Sequence, residues 1–188
     1  MKTIITERTP ASTVRTIELL SDVLMKLLVK QSLEKISITD ICTKAQVPRA
    51  TFYNHFEDKY DLFRYSMRSI FNAITAKNGS AFDETSYITC EIDNILSFAK
   101  ENYNYLKKVN SANSNGILFA EIKDMLYDRL LERMTALKEM GKSFPIKEQI
   151  IAEIYANAIV YSAKTWIEKD FAYSENEIRE ALLIMISK

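Results

Sequence analysis

Three glycines and three prolines in 188 residues leave the chain very little backbone punctuation, and this scarcity restricts its fold more than any other feature. Hairpins and the closely spaced turns of an all-β domain draw on glycine and proline for their special dihedrals. A chain this poor in both reads as long helices with few connections, an all-α fold of about nine helices. Apolar residues make up 47% and charged residues 27% of the sequence, a globular balance rather than a disordered one. The length suits one or two domains and buries a sizeable core without disulfides or metal.

Several classes are disfavoured early. Cys42 and Cys90 are too few and too far apart for a disulfide framework or a CxxC motif. They read as buried thiols in a reducing cytosol, with a redox-sensing Cys90 left open. The first residues hold no apolar signal core, and no run approaches the ~18 residues of a bilayer span. A cytoplasmic protein with no membrane partner is expected. His55 is the single histidine, and no Gly-rich phosphate loop, GxSxG or HExxH motif occurs. Neither an enzyme, a cofactor nor a metal site is expected.

Net charge is zero, with 25 basic and 25 acidic side chains, but the average conceals a division. Residues 1–70 carry 11 basic and 8 acidic side chains, whereas residues 71–188 carry 14 and 17. A modestly basic N-terminal unit on an acidic body follows. With so small an excess of positive charge, non-specific binding to DNA would be weak.

Along the chain, Ile17, Leu20, Leu24, Leu27 and Leu28 recur at helical spacing, with Ser12 or Thr13 as N-cap. Ser37 and Asp40 read as the start of a second, short helix that ends near Ala45 or Gln46, because Pro48 forbids continuation. Pro48 suits the first position of a third helix, with Phe52 and Phe56 on its inner face. A fourth follows from about Asp58, with Leu62, Phe63, Met67, Ile70, Phe71 and Ile74 as its stripe and Asn78-Gly79-Ser80 as its end. Two short helices joined by a turn and braced by longer ones form a helix-turn-helix. Arg49, Thr51, Tyr53, Asn54 and His55 are left at the outer surface of the second short helix, and such groups read base edges and phosphates.

The run from Ser37 to Phe63 resembles the DNA-binding signature of the TetR/AcrR family of transcriptional regulators. It carries Thr51-Phe52-Tyr53-Asn54-His55-Phe56, then Lys59 and the Leu62-Phe63 pair. It departs from that pattern at Gln46, where the family usually has Gly, and at Pro48, where Ser or Thr often caps. The resemblance implies a homeodomain-like three-helix DNA-binding domain over 1–57, with a recognition helix at about 48–55. A ligand-binding and dimerisation domain over 58–188 would follow, joined through a connecting helix at about 58–77. Arg49, Ala50, Thr51, Asn54 and His55 would lie nearest base edges. Tyr53 and Lys59 would hold phosphates, with help from Thr39.

The body holds further helices over 87–99, 101–109, 118–140 and 147–168, and a last one opened by the Ser174/Glu177 capping box. Ser111 to Gly116 reads as a loop. On 147–168, Ile151, Ile154, Tyr155, Ala158, Ile159, Ser162 and Trp166 form one apolar face. Ala152, Ala156, Val160, Ala163 and Ile167 form a second, rich in small residues. The second face reads as a dimer interface, with Leu182 and Ile186 from the last helix, although a helix central to its own domain would show the same pattern. The resemblance agrees, since the family dimerises through its last two helices, and two recognition helices would then read a pseudo-palindromic operator on double-stranded DNA. Phe98, Tyr103, Phe119, Met125, Tyr127, Tyr155 and Trp166 are candidates to line a pocket for an unidentified small-molecule effector. The function expected is a homodimeric repressor released by that effector. The alternative is a DNA-binding regulator or architectural protein controlled by a protein partner.

Overall fold

The computed structural model describes residues 9–78, 84–114 and 116–184. Among them are nine helices and no strand: α1 (Ala11–Leu28), α2 (Ile38–Ala45), α3 (Arg49–His55), α4 (Lys59–Asn78), α5 (Glu84–Glu101), α6 (Tyr103–Asn113), α7 (Leu118–Glu139), α8 (Glu148–Glu168) and α9 (Glu175–Ile184). Gly79 and Ser80 of the expected end of the fourth helix, and the interface candidate Ile186, lie outside the described residues.

Local signals set most boundaries. Ser37 Oγ accepts from the Asp40 amide at 3.0 Å while Asp40 Oδ2 accepts from the Ser37 amide at 3.2 Å, closing the box that opens α2. The Ser37 hydroxyl also donates to Asp40 Oδ2 at 2.6 Å, and this bond first, with that of the Ser37 amide, holds the Asp40 carboxyl below its usual range, so the box is intact at neutral pH. The Ser174/Glu177 box does the same for α9. Gly141, at φ 91°, closes α7, with the Lys142 amide returning to the Leu137 carbonyl.

Other boundaries move. α1 begins at Ala11, ahead of the expected cap, because Pro10 at φ −56° has its carbonyl already accepting from the Thr13 and Val14 amides. Pro48 is the N-cap of α3, one place before its expected position inside the helix. α6 runs on to Asn113, through half of the expected 111–116 loop, because the Asn113 side chain is buried and bonded.

Two apolar clusters result. The first joins Ile17, Leu20 and Leu24 of α1 to Phe52, Phe56, Leu62 and Phe63, and takes in Val109 and Leu118 of α6 and α7. The second joins α5, α7, α8 and α9 around Ile92, Leu126, Leu130, Ala156 and Ile159. Phe119 and Ile122 pack against both clusters, so α7 spans head and body.

The interface face is a correction. Ala152, Ala156, Val160, Ala163, Ile167 and Leu182 are all 8% exposed or less within the single chain. Small residues let neighbouring helices approach closely, and here the neighbours are in the same chain: α8 packs on α5, α6, α7 and α9. The helix is central, which is why both apolar faces are covered. Its outward sector instead carries Ile150, Ile154 and Tyr161, each 45–48% exposed. Ile154 thus stands outside the first apolar face to which the pattern assigned it.

Gln46 adopts the left-handed conformation that its position demands, at φ 56° and ψ 38°. A non-glycine residue there costs roughly 1 kcal/mol, partly offset by the greater freedom of glycine in the unfolded chain. Gln46→Gly is therefore expected to raise the thermal unfolding midpoint by about 1–3 °C, read by calorimetry. A lower midpoint would show that the Gln46 side chain itself contributes to the fold.

Candidate nucleic-acid interface

Phe52 and Phe56 lie at i and i+4, both fully buried, with ring centroids 5.7 Å apart. Tyr65 of α4 meets the Phe56 ring edge-on at 5.6 Å. These rings fix the inner face of α3, and the outer face follows from helical periodicity. Arg49, Ala50, Tyr53 and Asn54 are exposed, while Thr51 and His55 sit half-buried at its flanks. The Arg49 guanidinium reaches the Tyr53 hydroxyl at 3.5 Å, with its carbon 6.0 Å from the ring centroid. Thr39 is exposed in the first turn of α2, beside the capping box. A guanidinium, a phenol and an amide thus share one uncovered helix face, the groups that read base edges and hold phosphates.

Lys59 departs from its expected placing. Its ammonium donates to the backbone carbonyls of Glu34 at 2.6 Å and Ile36 at 2.8 Å. Burial lowers its pKa, opposed by attraction to Glu34 and Asp58. It ties the start of α4 to the segment ahead of α2, a role that fastens the head rather than presenting a charge outward. No sequence signal marks this, because the acceptors are backbone carbonyls more than twenty residues away.

The seven candidate pocket residues do not converge. Tyr155 and Trp166 are buried in the second cluster, Tyr127 packs against it, and Phe119 packs against both. The Trp166 and Phe171 rings meet tilted at 4.1 Å between centroids and the Phe171 and Tyr103 rings at 4.7 Å, an aromatic cluster across the turn after α8. Tyr103 and Lys107 both bond Asp170 there. Phe98 is half-buried. Of the seven, only Met125 lines the groove of about 760 Å³ between α4 and α7. Apolar side chains at helical spacing fill a core before they line a cavity.

That groove has a polar neighbour that sequence reading missed. Glu91, 2% exposed, pairs with Arg129 at 2.9 Å. Arg129 also donates to Thr75 at 2.5 Å and Asn72 at 3.4 Å, so one guanidinium joins α4, α5 and α7. Burial, reinforced by Glu91, raises the Tyr87 pKa well above the usual range. Arg64, Arg68 and Arg129 line the groove with Phe71, Met125 and Leu131, and Asp128, Glu132 and Glu139 add carboxylates to it. Among the described residues, no group of three His, Cys, Asp or Glu is placed to hold a metal ion, and no helix is long and apolar enough to cross a membrane. Cys42 is buried; Cys90 is half-buried and accepts from Asn94 at 3.5 Å.

A helix-turn-helix head with an uncovered polar helix face, carried on a helical body, is the build of a DNA-binding transcription regulator. The chain belongs to the TetR family. Residues 20–65 match "Bacterial regulatory proteins, tetR family", and residues 88–188 match "Transcriptional regulator C-terminal region". The nucleoid occlusion factor SlmA of Vibrio vulnificus is 24% identical over 166 residues, covering 81% of this chain and 84% of its own. A putative tetR family transcription regulator from Shewanella sp. PV-4 shares the fold with a TM-score of 0.61, at 14% identity over 90% of this chain and 95% of its own. FadR from Bacillus subtilis, solved in complex with stearoyl-CoA, gives 0.57 at 18% identity over 88% and 96%.

Removing the Lys59 ammonium leaves two backbone carbonyls to water, and a half-exposed charged donor of this kind is worth about 1–2 kcal/mol. Lys59→Ala is expected to lower the unfolding midpoint by several degrees, measured by circular dichroism without DNA. An unchanged midpoint would return Lys59 to a purely outward role.

Proposed function

We propose that the chain is a homodimeric repressor that inserts α3 of each subunit into the major groove of a pseudo-palindromic operator. The observation that carries this reading is the uncovered Arg49–Tyr53–Asn54 face, held outward by two fully buried phenylalanines. Arg49 and Asn54 read base edges with Ala50, Thr51 and His55 beside them, while Tyr53 and Thr39 hold phosphates. The exposed stripe of Ile150, Ile154 and Tyr161 on α8 supports dimerisation through α8 and α9, since apolar residues so aligned favour a partner over water. The DNA-binding unit spans 1–57 and the regulatory body 58–188.

Binding by the proposed dimer has two separable requirements. Arg49→Ala is expected to relax selectivity at particular base pairs by about 1–3 kcal/mol per position without changing thermal stability. Ile154→Glu is expected to give a folded monomer in sedimentation and to weaken operator binding at least tenfold. Selection from random duplexes followed by binding measurements checks both. Equal affinity of Arg49→Ala for all selected and scrambled duplexes would place base reading elsewhere.

The α4–α7 groove is the proposed effector site, because α4 is the helix that enters the head. Phe71, Met125 and Leu131 beside charged side chains of both signs, Arg64, Arg68 and Arg129 with Asp128, Glu132 and Glu139, suit an amphipathic molecule, and the stearoyl-CoA complex of the FadR neighbour supports an acyl thioester as that molecule. A thermal-shift series of fatty acids and acyl-CoA thioesters is expected to find a member that raises the unfolding midpoint and releases operator DNA. Release by none of them, with DNA binding intact, would favour control by a protein partner.

A further inference from the structure

Asn113, the last residue of α6, is 1% exposed. Its Nδ2 donates to the Leu28 carbonyl at 3.1 Å and the Val109 carbonyl at 2.8 Å, and its Oδ1 accepts from the Leu33 amide at 2.9 Å. Leu28 ends α1, and Leu33 lies in the segment that leads into α2. One buried amide of the body therefore grips the α1–α2 connection at its start and at its middle, taking one of the carbonyls that every helix terminus leaves without an internal partner.

Other bonds from outside α1–α3 converge on the same stretch. Tyr105 of α6 donates its hydroxyl to the Met25 carbonyl at 2.9 Å. The Ile117 amide donates to Glu34 Oε1 at 2.6 Å, and this lowers the Glu34 pKa. Gly116 permits that approach: a Cβ there would stand 2.8 Å from Glu34 Oε1. Lys59 holds the Glu34 and Ile36 carbonyls from the α4 side. Apolar contact alone tolerates sliding, whereas several directional bonds on one segment fix an angle.

We infer that Asn113 is a positioning residue for DNA reading: it sets the angle of the α1–α3 head on the body, and thereby the half-site spacing that the dimer selects. The inference rests on the dimeric DNA-reading function proposed above. One base pair of spacing turns the second half-site by roughly 34–36° about the duplex, so a fixed head angle gives a sharp spacing optimum. A head free to tilt gives a broad one.

The test uses the full-length protein and duplexes that carry two selected half-sites, with the spacer varied one base pair at a time. For the wild-type chain, affinity is expected to fall at least tenfold one base pair from the optimum. For Asn113→Ala, the ratio of optimal to off-by-one affinity is expected to drop at least fivefold, while affinity for a duplex with a single half-site stays unchanged. Simple loss of folded protein would weaken every duplex by the same factor and leave that ratio intact. Should Asn113→Ala not fold, Glu34→Ala, at an exposed side chain, gives the same readout through the Ile117 bond. An unchanged ratio in the folded variant, beside a sharp wild-type optimum, would overturn the inference alone. A wild-type chain that selects no duplex would overturn the inference together with the function on which it rests.

Discussion

The burial of Phe52 and Phe56 is the interaction on which the head depends. α3 is seven residues long, and an isolated helix of that length is unstable in water. Each buried phenylalanine contributes about 1.5–3 kcal/mol, so tertiary packing holds α3 in place rather than its own hydrogen bonds. One consequence is functional. Because the inner face alone stabilises the helix, the outer positions are free to carry Arg49, Tyr53 and Asn54.

The same division of labour governs the body. α8 buries a broad arc that includes Ile151, Ala156, Ile159 and Trp166, and its small residues let α7 lie close. Only the remaining sector faces outward, and its three large apolar residues stay about half exposed. Glu91 and Arg129 work differently. A buried ion pair gains little net stability over an apolar pair, because desolvation offsets most of the attraction. Its geometry is directional, however, so Arg129 fixes how α4, α5 and α7 meet. With Asn113 at the end of α6 and Lys59 at the start of α4, the head is held to the body by polar bonds at defined angles over an apolar contact that would permit several.

Much of this was legible in the residues. The Ser37/Asp40 and Ser174/Glu177 boxes, the Pro48 break, the inward phenylalanines and the outward cluster all depend on partners within four residues, and they stand where the spacing placed them, within a position or two. Lys59, Asn113, Glu91 and the pocket candidates were misread or missed because their partners lie tens of residues away. For Lys59 and Asn113 those partners are mainly backbone groups, which look alike in every sequence. The seven aromatic and sulfur-bearing candidates were chosen by type, and type does not distinguish a side chain that fills a core from one that lines a groove.

The scarcity of glycine and proline, together with the apolar period, determined by itself an all-α fold, the ends of most helices and which face of α3 points outward. Tertiary structure alone decided what each apolar face meets. The small-residue face of α8 illustrates the difference: its period requires that Ala152, Ala156 and Val160 be covered, but says nothing about whether a second chain or helices of the same chain cover them. Hydrophobic burial depends on area removed from water and is indifferent to which surface removes it. Only the path of the chain in space selects the partner, and that path left Ile150, Ile154 and Tyr161, not the alanines, facing out.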